Sequence, residues 1–152
     1  MRAQLSWGHR VNLSDHIAIQ SHLAKYCILV DTGEPAQIAD LFWDDARLEF
    51  GGEFNGADEI RQCFESWAKE MREPIEGLRH LLHIPHIEID HDRASSVSYA
   101  DADGHVRRSG KPIQNRAMYV DTLGKREGVW KFEARKIVWM RGLKEPGSPS
   151  GK

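Results

Sequence analysis

Three side chains have the right types for moving a proton between carbon and oxygen: Tyr26, Asp31 and His80. Asp31 falls near the end of residues 14–32, where Ile17, Leu23, Cys27 and Val30 recur at roughly helical spacing. Ser14 is a good N-cap for that helix, and Gly33 is a natural stop that can take the left-handed conformation. A carboxylate in the last turn meets the partial negative charge of the helix macrodipole. An acid set against its local electrostatics among apolar neighbours is a candidate for a raised pKa and a proton-transfer role. The competing reading is a solvated acid near the cap. His80 follows on a later strand, and an unperturbed imidazole titrates near neutrality, so it can accept or donate a proton.

His80, His83 and His86 stand three apart, which on a helix would suggest a metal. Pro85 and the strand-like residues around it argue against a helix. On a strand, His80 and His86 share one face and His83 points to the other, so the three cannot converge on one ion. No metal is expected. His83 and His86 read as surface or hydrogen-bonded strand residues, and His80 is kept because its strand should line a cavity above the first helix.

The elements that must position these residues follow from periodicity. Pro35 opens a short second helix, 35–42, after which residues 46–50 and 53–54 read as a hairpin around Gly51-Gly52. A third helix, 57–71, carries Ile60, Cys63, Phe64, Trp67 and Met71 on one stripe. Four longer strands are predicted at 78–90, 94–102, 112–123 and 129–143, with turns at 101–104 and 124–128. Trp130, Phe132, Ala134, Val138 and Met140 alternate along the last, which gives it one packed face. Helices first and a strand meander second imply an α+β fold, with helices covering one face of a curved sheet and a cavity between the layers.

Composition narrows the function classes. The chain has 152 residues and a net charge of −2, with bases and acids interspersed, which argues against a nucleic-acid partner. It reads as a single domain, 1–143, followed by a Pro/Gly/Ser-rich tail, 144–152, expected to be disordered. The N-terminal residues hold no apolar run long enough for a secretory segment, and nothing approaches a membrane span, so the expected location is the cytoplasm. Cys27 and Cys63 fall on apolar stripes and read as buried free thiols in a reducing compartment.

The chain resembles the SnoaL-like branch of the nuclear-transport-factor-2-like (NTF2-like) superfamily over roughly residues 13–142. The likeness rests on Val30-Asp-Thr-Gly33, Leu41-Phe-Trp-Asp-Asp-Ala46, Gly52 and Gly56, and Arg79-His80. Ile87-Glu-Ile-Asp-His-Asp-Arg-Ala94, Tyr119-Val-Asp121, Gly128-Val-Trp-Lys-Phe132 and Arg135-Lys-Ile-Val138 complete it. The resemblance implies a cone-shaped partial barrel, a bent antiparallel or mixed sheet wrapped on three N-terminal helices around a mostly apolar pocket. Within the superfamily it is similar to dehydratases of the scytalone and bile-acid 7α-dehydratase kind. These use a Tyr and an Asp of the first helix with a His of the strand after the third, and Tyr26, Asp31 and His80 match in type and spacing. The likeness further implies a strand Asp and an Arg near the C-terminus, for which Asp101 and Arg141 are the candidates, with Asp103 and Arg135 as the register alternatives. His105 is a poor match to the second histidine of scytalone dehydratase, which argues against scytalone as substrate.

Eliminating water beside a carbonyl needs a base for the carbon-bound proton and an acid for the leaving hydroxyl. A His–Asp pair supplies the first, and Tyr26 can hydrogen-bond the carbonyl oxygen as charge develops. The expectation is a cofactor-free lyase, or an isomerase or cyclase using the same pair, acting on a hydrophobic polycyclic or aromatic hydroxy-ketone. The alternative is a non-catalytic module, as in dioxygenase β subunits. Bland readings stand beside these: Tyr26 as a core aromatic, Asp101 and Asp103 as turn acids, Arg141 in a surface pair, Asp31–His80 as a structural ion pair. Apolar residues in the last two strands suggest a homodimer or homotrimer through the sheet.

Overall fold

The computed structural model describes residues 12–140. The expected tail, 144–152, and Arg141 lie outside the described residues. Helix α1 spans Leu13–Thr32, α2 Pro35–Ala39 and α3 Gly56–Trp67, and the strands are β1 Phe42–Glu49, β2 Glu53–Asn55, β3 Ile75–Leu82, β4 His86–Asp90, β5 Arg93–Val106, β6 Pro112–Arg126 and β7 Val129–Trp139. They form one seven-stranded sheet in the order β2-β1-β7-β6-β5-β3, with β4 paired to the other end of β5. The sheet is mixed, because β1 runs parallel to β7 while the other pairs are antiparallel. Helices α1 and α3 pack against the sheet and α2 packs on both of them, in keeping with the α+β reading.

Helix α1 carries the site, and several of its expected details change. Its N-cap is Asn12, not Ser14, with the Asn12 side chain accepting from the Asp15 N–H at 3.2 Å. Its buried stripe is Ile19, Leu23, Tyr26, Cys27 and Val30, while Ile17 points to solvent. Gly33 is not left-handed but extended, with φ −89°. The glycine is needed for room instead, since a Cβ there would stand 2.7 Å from Leu29 Cδ2 and 2.9 Å from Leu29 O. Both cysteines are free and buried, and burial pushes each thiol up to about 11.

Other expected boundaries move for local reasons. Helix α2 stops at Ala39 instead of running to 42, because Phe42 already enters β1 and faces the core. Helix α3 ends at Trp67 and continues as a wide π-helical turn, Ala68–Arg72. That change of pitch swings Met71 off the buried stripe it was expected to share, and leaves it 60% exposed. The expected strand 78–90 is two strands broken at residues 83–85, where Pro85 has no N–H to continue a ladder. The predicted turn at 101–104 lies inside β5, which pairs with β6 through residue 105.

A bulge decides what β7 points inward. Thr122 pairs with Ala134 but Leu123 pairs with Phe132, so Glu133 is an extra residue on β7. Inward positions therefore run Trp130, Phe132, then Arg135 and Ile137. Ala134, Val138 and Met140, expected to share the packed face, fall on the other one. A single inserted residue flips every side chain beyond it.

Candidate active site

The end of α1 and strand β3 meet at Asp31 and His80. Asp31 Oδ1 lies 2.6 Å from His80 Nδ1, and Asp31 Oδ2 accepts the His80 backbone N–H at 2.8 Å. A carboxylate offers only lone pairs, so Nδ1 carries the proton and Nε2 of the neutral ring keeps its lone pair. Both side chains are nearly buried, at 14% and 12% exposed. The two-pronged contact fixes the ring through its own backbone as well as its side chain. His80 is inward because it pairs with Ala102, a buried residue of β5.

The helix end that presents Asp31 has no basic residue in its last turn. Arg72, from the π-helical turn, fills that role: its Nη1 donates to Val30 O at 3.2 Å and to Gly33 O at 2.6 Å. These are carbonyls either side of Asp31 that the helix leaves without partners. The guanidinium also lies 5.6 Å from the ring of Trp67. A cation at the negative end of the macrodipole opposes the field that disfavours the Asp31 anion.

His80 is one wall of a pocket between helices and sheet, with Tyr26, Val30 and Phe64 on the helical side and Ala102, Asn115 and Tyr119 on the sheet side. Its cavity volume is only about 30 Å³. The pocket is a narrow slot with a mostly apolar lining.

Tyr26 lines the slot but is 2% exposed, with its ring among Phe42, Phe64, Tyr119 and Phe132. Burial raises its hydroxyl well above the ordinary phenol range, so it stays neutral and serves only as a hydrogen-bonding group. Beneath it, Arg135 is completely buried and forms a two-pronged pair with Asp121, 2.7 Å and 2.8 Å. The guanidinium carbon sits 4.0 Å from the Tyr26 ring centre, 4.2 Å from Phe132 and 4.4 Å from Tyr119. Burial raises the Asp121 carboxyl, and the facing guanidinium opposes that rise.

The remaining candidates divide. Asp101 does not reach the pocket: buried residues of β5 alternate Ala100, Ala102, Gly104, which puts Asp101 and Asp103 on the outer face. There Asp101 Oδ2 accepts from His83 Nε2 at 3.0 Å, and Asp103 accepts from Arg79 at 2.7 Å. His86 is likewise exposed beside Glu88. Of the two arginines, Arg135 is inside and Arg141 is outside the described residues. Asp121, Tyr119 and Asn115 were missed, although inward alternation along β6 (Ala117, Tyr119, Asp121) was available to point to the first two. Arg72 had no local signal, because its target carbonyls are about forty residues away in sequence.

The fold and these residues define a member of a known family. The model of the SnoaL-like domain matches residues 11–136, and the chain belongs to that family. Solved structures share its architecture. A scytalone-dehydratase-like protein from Novosphingobium aromaticivorans superposes with a TM-score of 0.76 at 21% identity, covering 93% of this chain and 96% of the other. Hexachlorocyclohexane dehydrochlorinase LinA type 2 gives 0.71 at 21% identity, covering 92% and 97%. An NTF2-like protein with a cystatin-like fold, also from Novosphingobium aromaticivorans, gives 0.75 at 18% identity, covering 87% and 86%. At these identities the likeness establishes the NTF2-like fold. No curated protein matches the sequence. No described helix is long and apolar enough to cross a membrane.

Proposed function

We propose that this protein is a dehydratase-like lyase that removes water from a hydrophobic hydroxy-ketone by acid–base proton transfer. The observation that carries the reading is the Asp31–His80 contact on the wall of an apolar slot, with Nδ1 engaged and Nε2 left for a substrate. His80 Nε2 takes the proton from the carbon beside the carbonyl. Asp31 holds the tautomer and stabilises the imidazolium. Tyr26, kept neutral by burial, donates a hydrogen bond to the carbonyl oxygen as the enolate forms. The imidazolium then returns its proton to the departing hydroxyl, so that one water leaves and the ring is neutral again. The names of two structural neighbours, a dehydratase-like protein and a dehydrochlorinase, both describe eliminations, which supports a lyase over a binding module. The same pair also suits an isomerase or cyclase.

The test is turnover of a panel of hydroxy-ketones, hydroxysteroids and aromatic polyketide-like alcohols, read as loss of water by mass spectrometry. The expected result is water loss in wild type and a fall of at least ~10²-fold in His80→Ala. Turnover that survives the substitution unchanged would sink the mechanism.

A further inference from the structure

The narrow slot does not end at its mouth. Phe50, Trp67 and Trp139 belong to its wall and also to the wall of a broad open groove beside it. Phe50 and Trp139 lie tilted against each other at the boundary, ring centres 6.0 Å apart, and form a sill between the two compartments. Beyond the sill the groove floor continues with Phe54 and Met71. Met71 is 60% exposed and Trp139 50% exposed, so among the described residues apolar surface lies open directly outside the candidate catalytic residues. Met71 reaches that position only because the π-helical turn displaced it from the core stripe. The groove's charged lining residues are Glu53, Glu59 and Glu70, and no Lys or Arg lines it among the described residues.

We propose that the site takes an elongated neutral substrate, its carbonyl end held in the slot at His80 and an apolar tail laid over the Phe50–Trp139 sill into the Phe54–Met71 groove. This rests on the reading of the slot as the place of reaction. A cavity this small admits only the carbonyl end of a substrate, so the body of the molecule, mono- or polycyclic, lies outside it. Apolar side chains along the groove favour methylene or aryl surface. Glu53 is paired with Arg47 at 3.3 Å, but Glu59 and Glu70 have no basic partner among the described residues and disfavour a carboxylate, phosphate or anionic carrier at the tail's end. Tail binding far from the reacting carbon also anchors the substrate, which is how a small slot keeps its orientation.

The experiment measures affinity of the full chain for acetophenone, butyrophenone and hexanophenone by calorimetry, with 6-oxo-6-phenylhexanoate as the anionic counterpart of the longest. The expected result is a gain of about two- to fourfold per added methylene, the upper figure being that of a fully buried group. The anionic ketone should bind at least about tenfold more weakly than hexanophenone. Met71→Gln, on an exposed side chain that does not line the slot, should flatten the chain-length dependence and leave acetophenone unchanged; Phe54→Asn should do the same. Affinity independent of chain length in wild type, or a dependence untouched by Met71→Gln, overturns the proposal. So does self-association that excludes every ketone until the protein is diluted, which would assign the groove to a second copy. His80→Ala separates the two readings. Loss of turnover with flat chain-length dependence removes only the groove, and chain-length dependence without turnover in wild type removes only the lyase.

Discussion

Strand β3 and the residues after it present two His–Asp pairs on opposite faces of the same sheet. His80 meets Asp31 at 2.6 Å with side chains 14% and 12% exposed; His83 meets Asp101 at 3.0 Å with side chains 55% and 36% exposed. The residue types are identical and the separation in sequence is three positions. What differs is the face. The inner imidazole has a buried carboxylate fixed by a second hydrogen bond from its own backbone, and an apolar slot beside it. The outer pair sits in water, where solvent competes for each partner and screens their attraction. A His–Asp contact therefore becomes a candidate base through what surrounds it. Arg135–Asp121 extends the comparison inward: at 0% exposure on both sides it is sealed, and aromatic rings pack the guanidinium.

The largest expected effect tests the inner pair. Asp31→Asn offers an amide to Nδ1, which favours the wrong tautomer and puts the proton on Nε2. Turnover in the water-loss assay should fall ~10²- to 10⁴-fold with the melting temperature little changed. Full activity would make the inner pair no different in kind from the outer one.

The sealed pair should show up in stability instead. Arg135→Met leaves Asp121 buried without a partner and should cost about 3–5 kcal/mol in urea denaturation. Replacing both partners, Arg135→Met with Asp121→Leu, should recover most of it, because the desolvated charge is then gone. A double variant as unstable as the single one would mean the pair contributes more than charge compensation.

A histidine without a carboxylate gives a smaller effect. His22 packs at a tilt against Phe132, ring centres 4.7 Å apart, and its Nε2–H donates to Leu41 O at 3.0 Å. Burial lowers it to about 4, the Leu41 carbonyl opposing and Arg135 adding to the shift. Above pH 6.5 both folded and unfolded chains hold a neutral ring. Below that the unfolded chain takes up a proton that the folded one refuses, so stability falls away between pH 6.5 and about 4. Between pH 7 and 5 the loss should be about 2 kcal/mol. His22→Gln keeps the donor and removes the titration, so its denaturation midpoint should change less over that interval.

The smallest effect belongs to the outer pair. Asp101→Asn should change turnover less than about twofold and stability by no more than about 1 kcal/mol. A large loss of activity would mean that the outer face takes part in the reaction.

Periodicity and turn chemistry identified the kinds and order of the elements, from the α1 helix through the strand meander, because those signals are local. The α+β class followed from their order, and the resemblance to a known family brought Asp31 and His80 together across 49 residues. The residue types able to move a proton were visible in the same way. Strand alternation separated His80 from His83, but the faces taken by Asp101, Ala134 and Arg135 were not legible. The Glu133 bulge reverses β7, which brings Arg135 inside and turns Ala134 out, and the uninterrupted run of β5 through Gly104 carries Asp101 to the outer surface. The π-helical turn sends Arg72 back to the end of α1 and Met71 out to the groove. The bulge and the π-helical turn are local changes of register or pitch, and the length of β5 rests on pairing with β6; in each case the partners are distant in sequence. Only the packed structure could decide them.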